Sequence, residues 1–435
     1  MTDTVITQPE QASRGVVSEG GCTGSALWSS QASMNRVPHD RLVIERGEGA
    51  FVWDQHGRRL LDVGSGLWHC NIGHGRHELA DAAHAQMTQL ETYHTFGRVA
   101  NRRAIELADR LAALAPIADA KVYFTSGGSD AVDAAAKLIR RFWVETGKPD
   151  KRVIITREGA YHGLHAYGTS LAGIEENRHG YGTPSLVPDT ARVAANDVHS
   201  LQDLLHDRGG EVAAVLLEAV LGTGGFLPPA PGYLDGVQAL CRAHDVLLVL
   251  DEVITGFGRT GALFASQRFD LEPDILLVAK GITSGYAPLG AVVVGPRVAA
   301  PFWQGSDPAV FRHGLTYSGH ATACAVAHAN LDILERDELA DRVASLAPTL
   351  AESLQSLADH RLVEEIRGPV GFMAGVKLTD TTIAENAARR ALERGLLVRP
   401  VSGGTLGVCP PFVTDLEDLL MMGPRLREVL DDLEM

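Results

Sequence analysis

Short apolar runs and amphipathic stretches alternate through the middle of the chain. Helix-like sequence, as at 129–143 and 232–244, separates most of the runs. Continuous apolar strands that alternate with helices are typical of a mostly parallel sheet covered on both faces, with right-handed crossovers. The runs that we predict as buried strands lie at 121–125, 152–156, 213–218, 246–251, 275–280 and 291–295.

The pattern changes after about residue 330. Helical periodicity dominates at 332–359, 382–394 and 415–434, with strand-like runs at 371–378, 396–400 and 405–409. Residues 51–66 resemble a hairpin with Gly57 in its turn, which we expect to pack on this C-terminal unit. The predicted fold class is therefore α/β. We expect a flexible arm at 1–26, a large sheet domain at 76–330, and a small α+β domain built from 27–75 and 331–435.

Composition and charge restrict the function. The 435 residues are 45% hydrophobic and 21% charged, as in ordinary globular proteins. A net charge of −15 would repel a phosphate backbone, which argues against nucleic-acid binding. No apolar run approaches the roughly 20 residues that span a bilayer, and the N-terminus lacks the pattern of a secretory signal. The scattered, odd set of cysteines without CxxC spacing predicts reduced thiols in a cytoplasm: Cys22, Cys70, Cys241, Cys324 and Cys409.

Two opposite charges follow buried strands. Asp251 ends one apolar run and Lys280 ends another, 29 residues later. Each alone has an ordinary explanation, a structural ion pair for Asp251 or a surface charge for Lys280. Together they are placed to meet at the carboxyl edge of the sheet, where α/β proteins bind ligands. A buried lysine can act as an amine nucleophile, and a carboxylate can keep a pyridine nitrogen protonated.

A candidate phosphate site follows the run at 121–125. Gly127 and Gly128 allow close approach to the backbone, and Ser129 opens the next helix with a hydroxyl and free N–H groups. An ordinary serine-capped turn is the alternative. The segment is not a Walker A loop, because no Gly-Lys-Ser/Thr follows.

Two further patterns do not indicate binding sites. The glycines at 222–225 follow a strand, but the prolines Pro228, Pro229 and Pro231 prevent the helix that a dinucleotide fingerprint requires. Histidines cluster loosely at 74–84 and at 162–165 without a metal-ligand pattern, so we predict structural or supporting roles and no metal site.

These motifs resemble those of the class III, fold-type-I aminotransferases, which use pyridoxal phosphate (PLP), from about residue 27 to the C-terminus. The segment LDEVITGFGRTG at 250–261 is similar to the family's aspartate signature, and Lys280 to its cofactor-bearing lysine. The resemblance implies catalytic roles for Lys280 and Asp251. It further implies a cofactor site formed by Gly128, Ser129, Tyr161, Glu218, Asp251, Val253 and Lys280, with Tyr161 stacked on the pyridine ring, Val253 opposite it and Glu218 near the ring oxygen.

Residues 313–320 resemble a segment that reaches across a dimer interface. By this resemblance Thr316 would contact the cofactor phosphate of the partner subunit in a homodimer with shared active sites. The beginning of the chain is closest to the amine:pyruvate, or ω-amino-acid, branch. That branch would place Trp68 and Phe96 in the substrate pocket, with Gly97 where a second aromatic often stands, and would make Arg399 a mobile carboxylate-binding arginine.

The resemblance implies a transaminase that moves an amino group from a primary amine or ω-amino acid to pyruvate or 2-oxoglutarate. It would work by a ping-pong mechanism through pyridoxamine phosphate. An aminomutase, racemase or decarboxylase on the same fold stays open, as does a non-catalytic PLP-binding protein. A nucleotide-dependent enzyme is disfavoured, because the sequence lacks the Walker and dinucleotide-binding motifs. The sequence names neither the amine donor nor the choice between the two acceptors.

Overall fold

The computed structural model describes residues 25–182 and 186–433, so the predicted arm at 1–26 lies almost entirely outside the described residues. The strands are β1 Ile44–Glu48, β2 Phe51–Asp54, β3 Arg59–Asp62, β4 Lys121–Thr125, β5 Val153–Arg157, β6 Thr190–Val193, β7 Val212–Leu217, β8 Leu247–Asp251, β9 Ile275–Val278, β10 Gly290–Val294, β11 Val363–Arg367, β12 Ala374–Leu378, β13 Leu396–Leu397, β14 Arg399–Val401 and β15 Thr405–Val408.

The helices follow the alternation expected from the sequence through the middle of the chain. They are α1 Val37–Asp40, α2 Ser65–Trp68, α3 His77–Gln89, α4 Arg102–Leu114, α5 Gly128–Glu145, α6 Ala166–Leu171, α7 Val198–Arg208, α8 Tyr233–Ala243, α9 Ala265–Arg268, α10 Pro296–Trp303, α11 Ala321–Arg336, α12 Leu339–Gln355, α13 Thr381–Glu393 and α14 Leu416–Asp432, with short 3₁₀ helices at Glu175–Asn177 and Lys280–Ile282.

A seven-stranded sheet in the order β4-β10-β9-β8-β7-β5-β6 forms the centre of the molecule. Its strands β5 to β9 pair in parallel, whereas β10 runs antiparallel to both β4 and β9. Strands β7, β8 and β9 are buried along their whole length, as their uninterrupted apolar sequences predict. The mostly parallel sheet is thus confirmed, and its central strands end at one common edge.

Helix α5 covers one face of this sheet. Its buried residues include Leu138, Ile139, Phe142 and Trp143, which pack against buried side chains of β7, β8 and β9. Burial of large apolar side chains of this kind contributes about 1.5–3 kcal/mol each. Because α5 is anchored along its whole length, its first turn is held firmly at the sheet edge.

Two smaller sheets accompany the large one. The order β1-β2-β3-β13 joins the early hairpin, whose turn contains Gly57 at φ 75°, to a strand near the C-terminus through the parallel β3–β13 pair. The second, β11-β12-β15-β14, is antiparallel throughout. The expected contact between the early hairpin and the C-terminal part of the chain is therefore present.

The structure corrects several predicted elements. The helical stretch at 332–359 is divided, because Glu338 adopts a left-handed φ of 48° between α11 and α12. The strand at 396–400 is two strands, which pair with different sheets. The strand at 275–280 ends at Val278, so Lys280 lies in a 3₁₀ helix beyond it. Strands β1, β6 and β11 were not predicted, because these short strands at sheet edges carry polar residues and lack an apolar run.

Within the described ranges, the search for a membrane-crossing helix found none with the required length and apolar sequence.

Candidate active site

A cavity of about 450 Å³ opens where the central strands end. Glu218 directly follows β7, Asp251 is the last residue of β8, and Lys280 lies two residues beyond β9. All three line the cavity. Their convergence follows from the parallel pairing of the strands, because the carboxyl ends of parallel neighbours meet at one edge.

Asp251 is held by two hydrogen bonds. The backbone N–H of Val253 donates to its Oδ1 at 3.0 Å, and Nδ1 of His162 lies 2.7 Å from its Oδ2. An ionised carboxylate only accepts hydrogen bonds, so Nδ1 carries the proton and Nε2 accepts from the Thr156 hydroxyl, 3.1 Å away. Asp251 lines the cavity, and these two hydrogen bonds leave further lone pairs of its carboxylate for a ligand there.

Lys280 has the electrostatic setting of a reactive amine. Burial lowers the pKa of its ammonium from 10.5 to about 8, although the negative charges of Asp251 and Glu218 oppose this shift. Its backbone has a φ of 45°, a strained value for a residue with a side chain. Its Nζ lies 5.2 Å from the centre of the Trp68 ring. The lowered pKa makes the neutral amine of Lys280 far more accessible near physiological pH than that of an ordinary lysine, as nucleophilic and proton-transfer chemistry requires.

Glu218 is a third charged residue of the cavity lining. The backbone N–H groups of Gly222 and Tyr161 donate to its two carboxylate oxygens at 2.8 and 3.1 Å. Burial raises the pKa of Glu218, and the negative charge of Asp251 adds to the increase. A buried carboxyl group tied to two backbone amides is fixed in orientation, so it can direct a polar ligand group without moving.

The part of the cavity that is lined by the start of α5 is suited to an anion. Helix α5 begins at Gly128, and no side chain caps its N-terminus among the described residues. A Cβ at Gly128 would lie 3.0 Å from Cγ1 of Val253, so the absence of a side chain keeps this approach open. The N–H of Leu164 donates to the Ser129 hydroxyl at 3.3 Å, which leaves the hydroxyl proton for another acceptor. Free amides at a helix N-terminus together with a hydroxyl group are typical of phosphate sites.

The structure brings most of the predicted site residues together. Those lining the cavity are Gly128, Ser129, Tyr161, Glu218, Asp251, Val253 and Lys280. Trp68 is 5% exposed and packs edge-on against Phe226, with its ring facing Lys280. Trp68 therefore supports the cavity from behind its lining.

Three predicted residues lie elsewhere in the single chain. Phe96 is 50% exposed and lines a separate cavity of about 690 Å³ with residues of the 310–318 segment. Thr316 is exposed in that segment. Arg399 is exposed at the start of β14, yet its positive charge reaches the Tyr161 hydroxyl, where it opposes the pKa increase that burial causes.

Other cavity residues were not predicted. His69 lines the wall next to Lys280, and so do residues of the loop that follows Lys280: Thr283, Gly285, Ala287, Pro288 and Leu289. The position of the loop residues directly after the predicted lysine was the available signal, because loops at strand ends form ligand sites in this architecture. His162 was predicted to have a structural or supporting role, and its hydrogen bond to Asp251 agrees.

The polar groups of the cavity fit the three polar parts of PLP. Lys280 provides an amine for the aldehyde, Asp251 a carboxylate for the pyridine nitrogen, and the start of α5 with Ser129 a cradle for the phosphate. In the described part of the chain, no group of three or more His, Cys, Asp and Glu residues could hold a metal ion. The donor set thus favours an organic cofactor with a phosphate.

Comparisons with known proteins agree with this geometry. Residues 32–430 match the family model described as aminotransferase class-III. The chain is 36% identical to a putrescine–pyruvate aminotransferase of Pseudomonas aeruginosa, over 89% of this chain and 90% of the relative. It is 36% identical to a diaminobutyrate–2-oxoglutarate transaminase of Halomonas elongata, over 87% of each protein.

A solved structure supports the same assignment. The ω-transaminase of Pseudomonas jessenii, crystallised in complex with PMP, superposes with a TM-score of 0.87 at 32% identity. The match covers 94% of this chain and 96% of that chain. With the cavity, its lysine and aspartate, and a family match over most of its length, the chain belongs to the class-III aminotransferases, enzymes of PLP fold type I.

Proposed function

We propose that this aminotransferase moves an amino group from a primary amine or an ω-amino acid to pyruvate or 2-oxoglutarate. The observation that carries the proposal is the placement of Lys280, with a pKa lowered to about 8, in one cavity with Asp251 and a candidate phosphate site. The substrate classes are supported by the named relatives, one of which acts on putrescine and pyruvate and another on diaminobutyrate and 2-oxoglutarate.

Each cavity residue has a role in this proposal. PLP supplies an electron-accepting ring for the bond changes at the substrate's amine-bearing carbon. Asp251 holds the proton on the ring nitrogen, and Lys280 takes up and returns the substrate proton at its Nζ. Gly128 and Ser129 would bind the phosphate, Tyr161 and Val253 would flank the pyridine ring, and Glu218 would orient the oxygen of that ring. The fixed hydrogen bonds of Asp251 and Glu218 mean that these groups need little reorganisation during the reaction.

The two substrates use one pocket in turn, through a ping-pong cycle. The amino acceptor carries a carboxylate, whereas an amine donor need not. We assign Arg399 to that carboxylate, because its charge already acts on Tyr161 at the cavity although its side chain is exposed. A long, exposed arginine can bind an acid bidentately and withdraw when an uncharged group enters.

We further propose that the active enzyme is a cytoplasmic homodimer. Thr316 is exposed and does not line the cavity of its own chain, which suits a contact with the cofactor phosphate of the partner subunit. The neighbouring surface, where Phe96 meets the 310–318 segment, would then be part of the dimer interface. Residues 27–75 and 331–435 would form one small domain beside the large domain at 76–330, as the β3–β13 pair suggests.

A donor screen tests the proposal. Purified enzyme loaded with PLP is mixed with diamines, monoamines and ω-amino acids, first without an acceptor and then with pyruvate or 2-oxoglutarate. A transaminase converts its cofactor stoichiometrically to pyridoxamine phosphate in the first step and regenerates it in the second. A racemase, aminomutase or decarboxylase would turn over without that stoichiometric conversion, and such a result would refute the proposal.

A further inference from the structure

His69 is a histidine of the cavity wall to which the roles above assign no task. It follows α2 directly and lines the same cavity as Lys280 and Asp251. Its neighbour Trp68 packs against Lys280, and the charge of Lys280 itself acts on the His69 ring. His69 is therefore close to the proposed reacting amine.

Two glycines fix the position of the His69 ring. A Cβ at Gly66 would lie 2.6 Å from Cε1 of the ring, and a Cβ at Gly285 would lie 2.2 Å from Cδ2. Both glycines have a positive φ, 64° and 82°, which disfavours a side chain at either position for a second reason. The imidazole is thus clamped between α2 and the loop that follows Lys280.

One hydrogen bond defines the tautomer of His69. The backbone N–H of Leu67 donates to Nδ1 at 3.2 Å, so in the neutral ring the proton is on Nε2. Burial first, and then the positive charge of Lys280, lower the pKa of His69 to about 4, so the ring is neutral at physiological pH. Among residues 25–182 and 186–433, no side chain or carbonyl accepts a hydrogen bond from Nε2. This leaves one N–H of the cavity wall available to a ligand.

We propose that His69 is a specificity-determining residue whose Nε2–H donates a hydrogen bond to an oxygen of the amino acceptor. The proposal rests on the transaminase function proposed above. An acceptor brings a carbonyl oxygen, and a keto acid also brings a carboxylate, whereas a simple amine has no oxygen to bind. A neutral donor can bind an oxygen without placing a second full positive charge beside the ammonium form of Lys280. A protonated imidazole ring would repel that ammonium group. It is distinct from Arg399, which acts on the Tyr161 side of the cavity.

The test compares His69→Phe, which keeps a ring but removes the donor, with His69→Gln, whose amide N–H can occupy a position similar to Nε2. Single-turnover titrations use pyruvate and propanal with the pyridoxamine phosphate form, and butylamine with the PLP form. In His69→Phe we expect the half-saturating concentration of acceptor to rise about tenfold or more, as for loss of a hydrogen bond to a substrate oxygen. His69→Gln should recover most of the loss, and the butylamine reaction should be spared in both variants. An effect on pyruvate alone assigns the carboxylate oxygen, and an equal effect on propanal assigns the carbonyl oxygen.

A second readout does not depend on activity. Nitrogen-15 NMR of histidine-labelled enzyme, with the His69 signals identified by their loss in His69→Gln, should show the neutral tautomer protonated at Nε2 throughout pH 6–8. A protonated ring or the opposite tautomer at pH 7 would overturn the proposal, whatever the activity of the variants. So would unchanged acceptor binding in His69→Phe, or an equal loss with butylamine, in a wild-type enzyme that transaminates. If the wild type used no acceptor at all, the proposed function would fail instead, and the NMR result would still report on the ring.

Discussion

Nδ1 of His162 lies 2.7 Å from Oδ2 of Asp251, and both residues are buried. The ring is fixed from its other side by the Thr156 hydroxyl, which donates to Nε2. This chain of contacts holds the Asp251 carboxylate at one angle at the end of β8. A carboxylate that keeps a ligand nitrogen protonated works best when its orientation does not fluctuate, so we expect His162 to act as a positioning residue for Asp251.

Replacing Asp251 by Asn should keep PLP bound but remove the charge that stabilises the ring proton. A shift of one pKa unit corresponds to about 1.4 kcal/mol, and a shift of two or more units implies a rate loss of roughly a hundredfold or greater. His162→Phe, which leaves the carboxylate in place but unsupported, should lose about tenfold. Single-turnover rates with a good amine donor measure both losses.

Thr156→Val is the matched control for the hydrogen bonds that link Thr156, His162 and Asp251. It removes only the outer hydroxyl, so its rate loss should be smaller than that of His162→Phe. A near-normal rate in Asp251→Asn, with full cofactor content, would mean that Asp251 has a structural role alone.

Lys280 should destabilise the cofactor-free protein at neutral pH. Because burial lowers its pKa from 10.5 to about 8, the unfolded chain binds more protons than the folded chain between these two values. The free energy of unfolding therefore rises as the pH increases from about 8 toward 10.5. The cost of burying the charged lysine is largest below pH 8. At pH 7 the Lys280→Met variant should unfold at a higher urea concentration than the wild type, with a free energy of unfolding about 1–3 kcal/mol larger. This difference should be smaller at pH 9.5.

Lys280→Arg is the control for the stability measurement, because it keeps the positive charge in the same place. It should show no gain at pH 7, and neither variant should transaminate. A Lys280→Met protein with the same urea midpoint as wild type at both pH values would contradict the lowered pKa. Steady-state activity in either variant would contradict the assignment of Lys280 as the reacting amine.

The centre of the fold was predictable because its strands are buried on both faces. The runs that became β7, β8 and β9 needed no partner information to be recognised, and the residues that follow them define the site. Asp251 and Lys280 could be selected on this ground alone. Asp251 and Lys280 lie close together because β8 pairs with β9 in parallel, a pairing that the α/β pattern of the sequence predicts.

Other features depend on contacts that no local pattern encodes. The clamp on His69 joins Gly66 to Gly285 across more than two hundred residues, and its effect depends on close approach rather than on residue type. The division of the chain at Glu338 reflects one backbone angle within continuous helical periodicity. The exposed positions of Phe96 and Thr316 show why a single chain gives no direct evidence for their predicted roles.

Arg399→Ala should impair the acceptor half of the cycle selectively. Arg399 is exposed without ligand, so its contribution comes from the charged hydrogen bonds formed when a keto acid binds. We expect the KM for pyruvate or 2-oxoglutarate to rise about tenfold or more, while the half-reaction with butylamine changes by less than about twofold. Arg399→Lys keeps the charge but loses the planar fork, so its KM for the keto acid should lie between those of the wild type and Arg399→Ala. Equal slowing of both half-reactions, or of neither, would require a different carboxylate partner.

The shared active site can be tested with two individually defective variants. Lys280→Ala removes the reacting amine of its own chain, and Thr316→Asp would place a negative charge against the cofactor phosphate of the partner subunit, where about 1 kcal/mol or more of repulsion is expected at close range. Each variant alone should form an impaired homodimer. In a mixed dimer, both lesions should fall in one site and the other site should be intact.

Because of this distribution, mixing the two variants under conditions that exchange subunits should restore activity well above the sum of the separate preparations. Affinity tags of two kinds isolate the mixed dimers, and active-site titration with an amine donor counts the functional sites. The exposed side chain of Thr316 and its absence from the cavity of its own chain are the reasons to expect rescue. If Thr316 instead served its own subunit, each mixed dimer would contain two defective sites. Isolated mixed dimers without added activity would therefore assign Thr316 a role outside the phosphate site of the partner subunit.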